Sequence, residues 1–134
     1  MSETGAAIAQ HARSLIGAPF RLHGRSPETG LDCVGLVERS CNAAGKPLSI
    51  PGSYALRNGD ISDLLACTER DDVGAASATF EAGDILLARP GPAQHHLLIV
   101  TSPAHFVHAH AGLRRVVETS LPSPWPILRH WRFT

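Results

Sequence analysis

Residues 30–47 read GLDCVGLVERSCNAAGKP and carry the clearest helix signal in the chain. Asp32 is a preferred N-cap residue, because its carboxylate accepts a hydrogen bond from a backbone N–H of the first turn. Apolar residues follow at helical spacing, and the closing GKP is typical of a helix end. The pattern predicts a helix from about Cys33 to Ala44, with a thiol at its first position.

The thiol of Cys33 would lie among the unpaired backbone N–H groups that begin a helix. The helix dipole favours an anion there by ~0.3–1 kcal/mol, so we expect its pKa to fall below the ~8.5 of a free cysteine. The same N–H groups could bind an oxyanion, and Gly35 would leave room for a substrate backbone. Position alone equally allows a buried cysteine that packs as a small apolar residue. Cys41 and Cys67 follow apolar stripes and are expected in the core.

Composition limits the class of protein. The chain has 134 residues, 43% of them hydrophobic, so we expect a single domain over 1–134. Twelve basic and twelve acidic residues balance, which argues against nonspecific binding of nucleic acid. Three cysteines without C-x-x-C spacing argue against a disulfide framework. No signal-peptide pattern and no run near the ~20 apolar residues of a membrane span are seen, so we expect synthesis in the cytoplasm.

The first half of the chain is predicted to be helical. Ser2 or Thr4 can cap a first helix, which ends at the GAP before residue 20. Residues 20–30 and 49–60 are rich in turn-forming residues and are predicted loops. A short helix is expected from Ile61.

From residue 83 onward the pattern changes to short strand-like runs separated by Pro, Gly or Ser. These runs are GDILLARP, HHLLIVTS, HFVHAHA, LRRVVETS and ILRHWRF. Helices followed by strands predict an α+β domain in which an antiparallel sheet packs on the helices.

A nucleophilic cysteine needs a base and a group that orients the base. Candidates are the five late histidines, His95, His96, His105, His108 and His110. QHHLLIVTSPAHFVHAHA is predicted to form a hairpin that turns at residues 101–103. If Val100 pairs with Ala104, His96 lies opposite His108, whereas a register shifted by one pairs His95 with His110. Since LLIV is apolar on both faces, periodicity leaves both registers open.

Three segments resemble the motifs of the NlpC/P60 family of papain-like cysteine peptidases: LIGAPFRLHGRSPETGLDCVGLV, AGDILLARPGPAQHHLLIV and FVHAHAGLRRVVE. The family pattern has D-C-S-G-[LF]-V, then G-D-[LI], H-[VI]-G-[IV] and [FVI]-[IV]-H-A. The resemblance spans about Leu15 to Val117. It implies Cys33 as nucleophile, His96 as base and His108 as the residue that orients the base, and so favours the register with the last two opposite each other. It also implies the family fold, with N-terminal helices packed on a five- to six-stranded antiparallel sheet, and no metal or cofactor.

The resemblance implies a peptidoglycan stem peptide as substrate, usually cut at the γ-D-glutamyl–diaminopimelate bond. It places Asp32, Val34 and Phe20 around that substrate. Val34 stands where the family usually has serine and Phe20 where it has tyrosine, and the loop from residue 20 to 33 is one residue longer. Short members with D-C-[LV]-G-L motifs resemble those of prophage tail modules and gene-transfer agents. That implies tail proteins as partners and a particle that carries the enzyme to the bacterial cell wall.

Three other hypotheses stay open on the sequence. The same fold could carry an amidase that acts on another amide, or a non-catalytic tail component. A metal site is the third, because His108 and His110 share a strand face and Cys33 could be a further ligand. No carboxylate or second cysteine joins them at a recognised spacing.

Overall fold

Three helices and eight strands form the part of the chain that the computed structural model describes, residues 2–50, 61–76, 79–92 and 94–134. The helices are α1 Glu3–Ser14, α2 Cys33–Ala43 and α3 Ser62–Cys67. The strands are β1 Arg25–Ser26, β2 Gly30–Leu31, β3 Val73–Ala75, β4 Ile85–Ala88, β5 His96–Ser102, β6 His105–His110, β7 Arg115–Ser120 and β8 Ile127–Phe133. Of the predicted loop 49–60, residues 51–60 lie outside the described residues.

The predicted starts of the first two helices are confirmed by their caps. Ser2 Oγ accepts a hydrogen bond of 2.9 Å from the N–H of Gly5 at the start of α1. Asp32 caps α2 in the same way. The helix predicted from Ile61 is present as α3. Helix α1 ends earlier than its apolar spacing suggested, and Ile16 beyond it is 44% exposed.

All five predicted strand-like runs are strands of one six-stranded antiparallel sheet, in the order β3-β8-β4-β5-β6-β7. Two features are absent from the prediction. Strand β3 was not expected, and the predicted loop 20–30 contains the hairpin of β1 and β2. Strands of two or three residues are too short to show a period of two, so the sequence carries no signal for them.

Each face of the sheet supports its own apolar cluster. Helices α1 and α2 cover the face formed by Ile85, Leu87, Leu97, Ile99, Val107 and Ala109. The opposite face carries Leu86, Ala88, Leu98, Val100 and Phe106, packed against Phe80, Leu121, Trp125 and Ile127. The α+β class, with helices on an antiparallel sheet, is therefore confirmed. No helix in the described part of the chain is long and apolar enough to cross a membrane.

The register predicted for the β5–β6 hairpin is wrong. Val100 pairs with Phe106, not Ala104, and Ile99 pairs with Val107. The turn is tighter than predicted, since Ser102 already pairs with His105, and the register shifts by one between Val100 and Ser102. A β-bulge of this kind adds an unpaired residue, which apolar alternation cannot reveal.

A buried carboxylate just before β4 joins this strand to its neighbour β8. Asp84 is fully buried, and its oxygens accept hydrogen bonds from His130 Nε2 at 2.6 Å and from Arg132 at 2.8 Å. Burial alone would raise the pKa of Asp84, but the bonds from Arg132 and His130 outweigh it and hold the pKa below its ordinary value. The role of His130 here is structural.

Candidate active site

Asp32 fixes the start of α2 and the loop before it. Its Oδ1 accepts hydrogen bonds from the N–H of Gly35 at 2.8 Å and from Arg25 Nη1 at 2.9 Å, and its Oδ2 accepts one from the N–H of His23 at 2.8 Å. The residue is 4% exposed, and Arg25 neutralises its charge. The expected N-cap is therefore confirmed. The carboxylate is committed to these bonds, and the contact of Asp32 with substrate that the resemblance implies stays a prediction.

Cys33 is the first residue of α2, as predicted, but its thiol is not acidified. The residue is 7% exposed, and burial raises the thiol pKa to about 12. Backbone N–H groups of Leu97 and Val34 interact with the sulfur and favour the thiolate, but less than burial opposes it. The expectation of a pKa below that of a free cysteine is wrong for this structure, because it weighed the helix dipole without the loss of solvent.

His96 and His108 are joined by a hydrogen bond of 2.9 Å between Nε2 of the first and Nδ1 of the second. Their ring planes lie at 74°, with centroids 5.2 Å apart. In the observed register His108 is level with Leu98, so the two histidines are diagonal neighbours on one face. Diagonal positions are still within reach of long or aromatic side chains, which explains why the pair forms although the predicted register is wrong.

Trp125 packs edge-on against both rings, with centroids 5.5 Å from His96 and 5.8 Å from His108. The ring of His110 also packs against His108, with centroids 5.4 Å apart. Burial, together with the smaller effect of the charge of His110, lowers the pKa of His96 to about 4. Burial and the charges of His96 and His110 lower the pKa of His108 to about 3. Both rings are therefore neutral at neutral pH.

Thr119, which no sequence motif singles out, extends the pair of His96 and His108. The ring nitrogen Nε2 of His108 lies 3.2 Å from Thr119 Oγ1 on β7. Thr119 pairs with Phe106, so it too is a diagonal neighbour of His108 on the same face. Its signal in the sequence is only that of a polar residue in an alternating strand, RVVETS, which is common. The pairing of β6 with β7 is what makes it a partner.

Cys33 and the His96 ring lie with different apolar clusters of the sheet. Cys33 belongs to the helix-side cluster, and its sulfur faces the backbone N–H of Leu97, the residue after His96. The His96 ring packs with Trp125, which lies against the opposite cluster. Within the described residues no hydrogen bond joins the Cys33 sulfur to His96 or His108.

The residues expected to contact substrate differ in exposure. Val34 is fully buried in the helix-side core, so its side chain does not line a substrate site, and that expectation is corrected. Phe20 is half-buried against the same core, and its N–H donates to the carbonyl of Arg114 at 2.9 Å.

Gly35 serves the fold and not the substrate. A Cβ on Gly35 would overlap the carbonyl oxygen of Gly24 in the loop that precedes β1. The helix start and that loop can approach only because the side chain is absent. The expectation that this glycine makes room for a substrate backbone is therefore corrected.

The other two cysteines agree with their expected places in part. Cys41 is fully buried in the core, as predicted. Cys67 is half-buried at the core margin, and its thiol donates to the carbonyl of Ser49 at 3.3 Å. All three cysteines are free thiols, in line with the predicted lack of a disulfide framework.

The geometry does not favour the metal hypothesis. Both ring nitrogens of His108 already have hydrogen-bond partners, His96 and Thr119. His110 Nδ1 accepts a hydrogen bond from the N–H of Leu113. Among the described residues no group of three or more His, Cys, Asp or Glu side chains is arranged to hold a metal ion.

Comparison with solved structures gives a clear answer on the fold. NlpC1 from Trichomonas vaginalis matches with a TM-score of 0.71 and 19% identity, over 98% of this chain and 46% of that one. NlpC2 from the same organism gives 0.70 and 16% identity, over 98% and 49%. The NlpC/P60 domain of the peptidoglycan hydrolase SagA gives 0.60 and 24% identity, over 87% and 88%. The chain has the NlpC/P60 fold.

The likeness to this fold lies in the structure more than in the sequence. No family model matches the sequence, and no curated protein matches it. The chain spans about half the length of the two Trichomonas proteins but nearly the whole SagA domain. The NlpC/P60 fold predicted from three short motifs is therefore confirmed at low overall identity.

Proposed function

We propose that the protein is a cysteine peptidase that hydrolyses peptidoglycan stem peptides, with Cys33 as nucleophile, His96 as base and His108 as the residue that orients the base. The observation that carries the proposal is the 2.9 Å hydrogen bond between His96 and His108. Leu97, which follows His96 on β5, interacts through its backbone N–H with the Cys33 sulfur. The resemblance of three motifs and the NlpC/P60 fold support the same assignment. SagA, which shares the fold, is described as a peptidoglycan hydrolase.

The hydrogen bonds assign the two nitrogens of His96 different tasks. Nε2 is bound to His108, so the base that removes the thiol proton is Nδ1. The proposed mechanism requires Sγ to come within hydrogen-bond reach of Nδ1 when substrate binds. Catalytic hydrogen bonds that are long or absent in an unliganded site commonly form when substrate binds.

The resting pair is neutral, since the pKa of the Cys33 thiol is about 12 and that of His96 about 4. Proton transfer from Sγ to Nδ1 therefore accompanies attack of sulfur on the amide carbonyl. Backbone N–H groups at the start of α2, including that of Cys33, bind the oxyanion. His96 then protonates the leaving amine, and water hydrolyses the thioester with the same histidine as base.

The γ-D-glutamyl–diaminopimelate bond is the proposed site of cleavage, on the resemblance alone. Asp32 is paired with Arg25 and Val34 is buried, so neither supports selection of a free amino end. Phe20 keeps exposed surface beside the loop before α2 and is the proposed contact. The phage-tail subgroup and delivery by a particle stay predictions from the short D-C-V-G-L motif.

The test is digestion of purified muropeptides with product identification by mass spectrometry. We expect cleavage by the wild type, none by Cys33→Ala, and a loss of ~10²–10⁴-fold in His96→Ala, the range for a lost general base. His95→Ala is the matched control and should lose little, because it is the ring of His96 that is hydrogen-bonded to His108. A larger loss in His95→Ala than in His96→Ala would contradict the assignment of the base. Cleavage of a different amide would assign an amidase. Full activity in Cys33→Ala would exclude the cysteine mechanism.

A further inference from the structure

Three polar side chains form a chain of hydrogen bonds across three neighbouring strands. His96 lies on β5, His108 on β6 and Thr119 on β7. The contacts are 2.9 Å from His96 Nε2 to His108 Nδ1 and 3.2 Å from His108 Nε2 to Thr119 Oγ1. Each step joins diagonal neighbours on the same sheet face. Phe106 and Trp125 pack against the His108 ring, so the chain is largely sheltered from water.

The protonated state of His96 decides which atom donates and which accepts in each of these hydrogen bonds. An imidazolium carries a proton on both nitrogens, so its Nε2 must donate to His108 Nδ1. A neutral His108 that accepts at Nδ1 carries its own proton on Nε2. That proton points at Thr119 Oγ1, which accepts it. Since His108 is 2% exposed, water is a poor substitute for the hydroxyl.

We propose that Thr119 is a positioning residue of this site: its hydroxyl oxygen accepts the Nε2 proton of His108 and so holds His108 in the tautomer that can receive a hydrogen bond from protonated His96. The inference rests on the proposed function for its effect on turnover. The hydrogen-bond direction itself is a property of the free protein.

Removal of the Thr119 hydroxyl should exchange the donor and the acceptor in the hydrogen bond between His96 and His108. In Thr119→Val the Nε2 proton of His108 has no acceptor, and a buried N–H without a partner is more costly than an unpaired acceptor. The proton then moves to Nδ1 and is donated to His96 Nε2. His96 in turn carries its proton on Nδ1, the nitrogen that must accept the thiol proton. Thr119→Ser keeps the oxygen and should keep the original direction.

Two measurements test the proposal. Nitrogen-15 NMR of the imidazole rings near pH 7 gives the tautomer of His108, which we expect to be Nε2–H in the wild type and in Thr119→Ser, and shifted towards Nδ1–H in Thr119→Val. Turnover of an L-Ala-γ-D-Glu-diaminopimelate peptide should show kcat lower by about three- to tenfold in Thr119→Val, the factor of one hydrogen bond. KM should change little, and Thr119→Ser should retain kcat.

Thr101→Val is the matched control, because Thr101 on β5 binds Glu118 at 2.8 Å and neither histidine. It should leave the His108 tautomer and kcat at their wild-type values. An unchanged His108 tautomer in Thr119→Val would overturn the proposal, as would a Thr119→Ser variant that behaves like Thr119→Val. If the wild type cleaves no stem peptide, the proposed function fails, while the NMR comparison still decides the role of Thr119.

Discussion

Cys33 shows how two local effects of opposite sign compete at one residue. The helix start and the N–H groups of Leu97 and Val34 favour the thiolate, whereas burial disfavours it. The helix term is worth ~0.3–1 kcal/mol, and removal of a full charge from water is worth several kcal/mol. Burial therefore wins, and the thiol is protonated in the resting protein.

Ultraviolet absorption can check the state of this thiol. A thiolate absorbs near 240 nm and a thiol does not, so the difference between wild type and Cys33→Ala isolates Cys33. Because its pKa is about 12, we expect no change in that difference between pH 5 and pH 9. Cys41 and Cys67 are present in both proteins and cancel. A thiolate signal with a midpoint below about 8.5 would show instead that Cys33 is acidified in the resting protein.

At the level of elements, the start of α2 is fixed by its contacts with the loop before it. Asp32 receives N–H groups from Gly35 and His23 and an ion pair from Arg25. Arg25 also pairs with Glu38 of α2 at 3.2 Å. Close approach of Gly24 to Gly35 completes the contact. This packing fixes the position of Cys33 next to Leu97 of β5.

Gly35→Ala should destabilise the protein although alanine favours helices. The new Cβ overlaps the carbonyl oxygen of Gly24, and backbone atoms cannot rotate away as a flexible side chain can. Overpacking costs about 1–3 kcal/mol, more than the ~1 kcal/mol that alanine gains over glycine in a helix. We expect a net loss of up to about 2 kcal/mol in the free energy of unfolding, measured by urea denaturation.

Gly74→Ala is the control for this experiment. Gly74 lies on the edge strand β3, and a Cβ there meets no atom within 4 Å. Its free energy of unfolding should stay within about 0.5 kcal/mol of the wild type, as is usual for surface positions. Equal effects of the two substitutions would argue against the close contact at Gly35.

At the level of the whole molecule, buried titratable groups on the sheet link stability to pH. His96 and His108 have pKa values of about 4 and 3, below the ordinary 6.5, so the unfolded chain binds protons that the folded chain excludes. Stability is therefore lost as pH falls from about 6.5 towards 4. Asp84 has a lowered pKa, so its contribution is present above the ordinary value of 3.8 and is lost below it.

Urea denaturation at a series of pH values should show these two phases. Between pH 7 and 4.5 we expect the free energy of unfolding to fall by a few kcal/mol, since one pKa unit corresponds to about 1.4 kcal/mol. The variant with both His96→Gln and His108→Gln should lose most of this slope, because glutamine does not titrate. A slope that is identical in the variant would assign the acid sensitivity to other groups.

The sequence alone determined the elements that rest on local interactions. Asp32 correctly predicted the start of α2. The short apolar runs separated by Pro, Gly or Ser predicted five of the six strands of the sheet. Three motifs were enough to predict the NlpC/P60 fold and to single out Cys33, His96 and His108. These features can be predicted from the sequence because N-caps, helix ends and strand periodicity depend on residues close together in the chain.

Only the tertiary structure decided how those elements meet. A bulge near Ser102 made His96 and His108 diagonal and not opposite neighbours, and the β6–β7 pairing brought Thr119 to His108. Burial in the folded protein raised the pKa of Cys33 and removed the side chain of Val34 from the surface. Register, desolvation and diagonal contacts arise between residues far apart in the chain, and no local pattern encodes them.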